Sequence, residues 1–91
     1  MPMHRVYVSG KVQKIGFRDW VVRRAQTVGV TGWVRNMKDG RVELLVDGDE
    51  DRTSAFIDQL REGPPQARID HVETVAAQER APKGFTKRFT V

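Results

Sequence analysis

A chain of 91 residues and 10.4 kDa, with 38% hydrophobic and 31% charged residues, is one small globular domain over residues 1–91, too apolar for disorder. It has no cysteine, which excludes disulfides and thiolate chemistry, and no apolar run near the ~18–20 residues of a membrane span. Its formal charge of +4 is dispersed, with no block of five like charges, so it suits an anionic partner or plain solubility but not a basic tail.

The elements follow in chain order. His4-Arg5-Val6-Tyr7-Val8 alternates polar with apolar, which predicts a strand over residues 3–9, broken by Ser9-Gly10. Phe17, Trp20, Val21, Ala25 and Val28 recur three or four apart and predict a helix over 17–28, stopped by Gly29. Thr31 to Met37 reads as a second strand, and Lys38-Asp39-Gly40 as a hairpin turn. Val42, Leu44 and Val46 alternate with Glu43 and Asp47 in a third strand. Asp49 or Asp51 caps a second helix that buries Phe56, Ile57 and Leu60, and Gly63-Pro64-Pro65 ends it. Residues 68–77 form a fourth strand. Phe85, Lys87, Phe89 and Val91 alternate with Thr86, Arg88 and Thr90 in a short fifth.

The order is βαββαβ with one added strand. It predicts an α+β, ferredoxin-like split-βαβ sandwich: an antiparallel sheet of four to five strands with two helices on one face. In that topology the first two strands run parallel with the third between them. Loop 10–16 and Asn36 therefore reach the same sheet edge, two strand spacings or roughly 10 Å apart, which leaves room for a small ligand.

Gly10-Lys11-Val12-Gln13-Lys14-Ile15-Gly16-Phe17-Arg18 joins a strand to a helix. Glycines there allow close backbone approach. The first amides of the helix lack intrahelical partners and carry the positive end of its dipole, so an anion fits. Arg18 stands at the helix start, where its planar fork can hold phosphate oxygens. The chain has no GxxxxGK[ST] nucleotide loop and no carboxylate cluster for magnesium. His4 and His71 lack ligand-like spacing, and Ser9 and Ser54 have no evident histidine partner, so neither a metal nor a serine nucleophile is expected.

These segments resemble the acylphosphatase family. Its first motif, G-x-V-Q-G-V-x-F-R, is matched by residues 10–18; its second, G-W-V-x-N followed by D-G-x-V, by Gly32-Trp33-Val34-Arg35-Asn36 and Asp39-Gly40-Arg41-Val42. Gly63-Pro64-Pro65-Gln66-Ala67 and the aromatic C-terminal strand match further family patterns, so the similarity spans nearly the whole chain.

The resemblance implies metal- and cofactor-independent hydrolysis of carboxyl–phosphate anhydrides to a carboxylate and inorganic phosphate. It makes Arg18 and Asn36 the catalytic pair. Arg18 and the amides of Val12, Gln13, Lys14, Ile15, Gly16 and Phe17 bind the substrate phosphate, and Asn36 orients the attacking water. The partner is a small acyl phosphate, with no nucleic acid and no membrane, and the protein is expected to be a cytoplasmic monomer. One position departs from the pattern: the family usually has glycine where this chain has Lys14. Either lysine there takes a positive φ at a cost of about 1 kcal/mol or more, or it keeps an ordinary conformation and adds charge beside the anion.

Two alternatives accompany this reading. An RNA-binding module shares the βαββαβ order, and Lys83-Gly84-Phe85 echoes an RNP1 start. However, Thr86-Lys87-Arg88 breaks that pattern, and it lies on the last strand. A catalytically weak acylphosphatase-like module, of the kind found in larger carbamoyl-transfer proteins, is the other. The length of 91 residues and the presence of both Arg18 and Asn36 favour a free-standing enzyme.

Overall fold

The computed structural model describes residues 3–79 and 83–88. The strands are β1 (Met3–Lys11), β2 (Thr31–Asn36), β3 (Val42–Asp47), β4 (Arg68–Ala77) and β5 (Phe85–Lys87). The helices are α1 (Phe17–Val28) and α2 (Glu50–Glu62). The sheet order is β4-β1-β3-β2-β5. β1 and β2 each pair antiparallel with β3, so they run parallel to one another on its two sides.

The first four strands form the expected antiparallel sheet. β5 then pairs parallel with β2, so the five-stranded sheet is mixed. Parallel neighbours need a long crossover, and β3, α2 and β4 supply the chain length between β2 and β5. Phe89 and Val91, read as part of the fifth strand, lie outside the described residues.

One face of the sheet carries the core. Val6 and Val8 of β1, Val34 of β2, Val42, Leu44 and Val46 of β3, Val72 of β4 and Phe85 of β5 pack against Phe17, Val21 and Ala25 of α1 and Phe56 and Leu60 of α2. The period of two along the strands and the three-to-four spacing along the helices place these residues on facing surfaces. Trp20, Val28 and Ile57 are only partly buried at its margin. Gly29 ends α1 by donating its N–H to the Ala25 carbonyl at 2.8 Å. Of the two candidate caps for α2, Asp49 is the one used, its Oδ1 accepting from the Arg52 N–H at 2.8 Å.

The helix-free face is also dry in places. Strand alternation points Glu43 away from the helices, yet it is buried, because Arg35 reaches it at 2.6 Å and Arg5 at 3.5 Å. Beside it Trp33 is buried under the guanidinium groups of Arg35 and Arg88, 4.7 and 4.9 Å from its ring centre. Trp33 is thus a packing residue on the face opposite Asn36.

Candidate active site

Val42 registers with Val8 on one side and Asn36 on the other, so the ends of β1 and β2 flank β3 at one sheet edge. β1 is not broken at Ser9-Gly10 as expected: its pairing with β3 ends at Val8, but along β4 it shifts register between Ser9 and Gly10 and pairs on to Lys11. Gly10 has φ 129°, and a Cβ there would lie 2.0 Å from the Arg68 carbonyl oxygen, so only glycine fits against β4.

Beyond it, Val12 is buried in the core and anchors the loop. Gln13 ties the loop to the β2–β3 hairpin, its Nε2 donating to the carbonyls of Met37 and Arg41 at 2.9 Å each. This amide fixes the loop relative to Asn36, which precedes Met37. Lys14 has φ 65°, so of the two alternatives open at this position the structure shows the positive-φ one. The lysine takes the left-handed backbone that glycine adopts without a Cβ penalty. Ile15 packs its side chain against the core margin. Gly16 (φ 77°, ψ 17°) then starts α1.

Gly16 caps α1 without any side-chain cap, and the first intrahelical bond runs from the Trp20 N–H to the Gly16 carbonyl at 3.0 Å. The N–H groups of Phe17, Arg18 and Asp19 therefore have no intrahelical acceptor. Lys14 and Gly16, on either side of Ile15, both have positive φ, the backbone sign that recurs in anion-binding nests.

A cavity of about 190 Å³ opens at this point, lined by Val12, Lys14, Gly16, Phe17, Arg18, Asp19, Asn36 and Lys87. The two side chains singled out from the sequence, Arg18 and Asn36, thus share one wall. Gln13 and Ile15 do not line it; their side chains hold the loop. Arg18 is half-buried, and its Nη1 donates to the Arg88 carbonyl at 2.9 Å. That carbonyl is fixed in turn, because the Arg88 N–H donates to Val34 O at 2.8 Å and its guanidinium rests on Trp33. The Asn36 Oδ1 is buried and has no hydrogen-bond partner among the described residues. An unpaired amide oxygen is costly in a protein interior and is an acceptor for whatever enters the cavity.

Asp19 and Lys87 are two wall residues that sequence reasoning missed. Lys87 Nζ donates to Asp19 Oδ1 at 2.7 Å, and this bond holds the Asp19 carboxyl below its usual range, with Arg23 and Arg18 adding to the effect. The signal for Lys87 was its alternation in step with Phe85: the strand that puts Phe85 in the core puts Lys87 on the same side at the site edge. Among the described residues no cluster of three or more His, Cys, Asp or Glu could hold a metal ion.

Fold and cavity together define a split-βαβ domain with a cavity at a loop–helix junction, lined by the basic side chains Lys14, Arg18 and Lys87. The chain matches the acylphosphatase family over residues 4–91. It is 49% identical over 82 residues to an acylphosphatase of Rhizobium etli, covering 89% of this chain and 87% of that one. Among solved structures it is similar to an acylphosphatase from Coxiella burnetii, with a TM-score of 0.90, 37% identity, and coverage of 96% of this chain and 92% of that one. The acylphosphatase of Bacillus subtilis superposes with a TM-score of 0.84 at 31% identity, covering 100% of this chain and 98% of that one. The chain belongs to the acylphosphatase family.

Proposed function

We propose that this acylphosphatase hydrolyses acyl phosphates by positioning and charge stabilisation alone, with phosphate held by Arg18 and the amides from Val12 to Phe17 and water held by Asn36. The observation that carries this reading is the unpaired Asn36 Oδ1 on the wall of the cavity that Arg18 and the start of α1 also line.

An acyl phosphate is an activated anhydride with a good carboxylate leaving group, so it needs little covalent help. Arg18 and the loop amides meet the charge that spreads over the equatorial phosphate oxygens in the transition state. Asn36 accepts a hydrogen bond from the water through Oδ1 and turns the water oxygen toward phosphorus. The new bond joins that oxygen to phosphorus as the bond from phosphorus to the acyl oxygen breaks. The carboxylate departs with the bonding pair, and the water proton passes to a phosphate oxygen. Asp19 is a poor base for this step, because its carboxylate is already held by Lys87 and its pKa is lowered.

Membership over residues 4–91, with relatives named as acylphosphatases along most of their own length, speaks against the accessory module and the RNA-binding alternative. No helix among the described residues is long and apolar enough to cross a membrane. A monomer working in the cytoplasm on a small acyl phosphate, without metal or cofactor, completes the proposal.

The test is hydrolysis of benzoyl phosphate followed by its ultraviolet absorbance with EDTA present. Wild type is expected to turn over, Arg18→Ala to lose phosphate binding and turnover together, and Asn36→Ala to lose turnover about 10²–10³-fold with little change in KM. Near-normal activity in either variant refutes the assignment. A strict metal requirement refutes the mechanism.

A further inference from the structure

The cavity wall holds three cations, Lys14, Arg18 and Lys87, and one carboxylate, Asp19. A carboxylate beside a phosphate site opposes the ligand it serves, so its presence there needs a physical account. It sits one residue after Arg18 in the first turn of α1 and occupies Lys87 Nζ at 2.7 Å. Both side chains are about half exposed, 57% for Asp19 and 44% for Lys87, so the bond joins two solvent-accessible groups and is open to competition from an entering anion.

We propose that Asp19 sets the affinity of the site for inorganic phosphate by engaging Lys87, so that the released product is gripped by Arg18 and the loop amides but not by a third free cation. This inference rests on the acyl phosphate reading of the site. The product carries the same phosphate oxygens that the substrate offers, and each cation that binds one also binds the other. A site with every cation free would bind substrate and product tightly alike, and product would accumulate in it. Asp19 acts through Lys87 and is a positioning residue. Lys87 is the group that meets the phosphate once Asp19 is removed.

Opposite effects on phosphate affinity from the two single variants distinguish this role from a structural one. Asp19→Asn frees Lys87 and removes a repelling charge, so the inhibition constant for inorganic phosphate is expected to fall about three- to tenfold, the scale of one solvent-screened charge near a dianion. Lys87→Met leaves Asp19 facing the anion without its partner, and the constant is expected to rise by a similar factor. The double variant is expected within about twofold of wild type, because the pair is removed as a neutral unit.

The measurement is phosphate inhibition of benzoyl phosphate hydrolysis, alongside direct titration with inorganic phosphate followed by the amide signals of residues 12–19. An Asp19→Asn variant that binds phosphate as wild type does, or more weakly, overturns the proposal. So does a double variant whose loss is the sum of two losses. If wild type binds phosphate but does not hydrolyse the substrate, the acyl phosphate reading fails while the titration still decides the role of Asp19. If wild type binds no phosphate, both fail.

Discussion

Lys14→Gly separates what the lysine costs from what its charge contributes. Lys14 is exposed, with φ 65°, and lines the cavity. Left-handed backbone costs a residue with a Cβ about 1–2 kcal/mol. Glycine removes that strain but gives the unfolded chain about 0.4–1 kcal/mol of extra conformational entropy. The net expectation is a stabilisation of about 0–1.6 kcal/mol, centred near 0.8 kcal/mol, which is roughly 3–6 °C in Tm for a domain of this size. Lys14→Ala keeps the Cβ and so keeps the strain, and its Tm should stay close to that of wild type. Both variants lose the charge, so both should raise KM for benzoyl phosphate by the same factor. Thermal unfolding followed by circular dichroism, run beside the kinetics, measures the two effects on the same samples. If glycine is no more stable than alanine at position 14, the strain argument is wrong. If the two variants differ in KM, backbone conformation rather than charge governs binding there.

Gln13→Ala removes both bonds to the hairpin carbonyls and should cost about 1–3 kcal/mol by denaturant unfolding; kcat should fall as the loop loses its register with Asn36, and unchanged kcat would show that Val12 alone fixes the loop. Glu43→Ala should destabilise the sheet by about 1–3 kcal/mol, since Arg5 and Arg35 lose the carboxylate between them, while a folded variant keeps its KM because Glu43 lies on the face away from the cavity. Asp19 and Asp39 both have folded pKa values below the usual 3.8, the first through Lys87 and the second through the Arg41 N–H and side chain. A lowered folded value means that their stabilisation is present above pH 4 and is lost as the pH falls through that value. Asp39→Asn should therefore flatten the acid limb of a Tm-against-pH profile, and an unaltered limb would count against the turn contact.

Much of this molecule was legible because its patterns are local. The helix over 17–28 has the bounds that its apolar spacing gave, and residues 68–77 are the fourth strand. Glycine at 10 and 16, arginine at 18 and asparagine at 36 marked the loop–helix junction and the strand end that the topology brings to one edge. Non-local pairing was not legible. The parallel docking of Phe85–Lys87 on β2 depends on the edge of β2 that β3 leaves open, and nothing within three residues of sequence encodes it. Glu43 looked like the polar half of an alternating strand and became buried only because Arg5 and Arg35, on two different strands, converge on it. The sign of φ at Lys14 likewise belongs to the closure of the loop against the hairpin, not to lysine.

The same distinction bears on how the loop can carry a costly residue. The two side chains proposed for catalysis are held by groups whose identity matters little. Arg18 is restrained by a backbone carbonyl of Arg88, and that carbonyl by the bond from its own N–H to Val34 O. Asn36 is the last residue of β2, paired across the ladder with Val42. The loop between them is fixed at its two ends, by Val12 in the core and by Phe17 at the start of α1. It is fixed in the middle by the Gln13 amide bonding two carbonyls. With restraints on both sides of position 14, a strain of about 1–2 kcal/mol at one exposed residue is offset by the domain rather than released by moving the loop. The cost of Lys14 should therefore be seen in global stability, and the catalytic geometry should survive it. Weakening the restraints is what would let the strain reach the site: in the Gln13→Ala background, Lys14→Gly should restore part of the lost kcat, whereas in wild type it should not raise kcat at all. Equal kcat responses to Lys14→Gly in the two backgrounds would mean that loop strain and loop restraint are uncoupled.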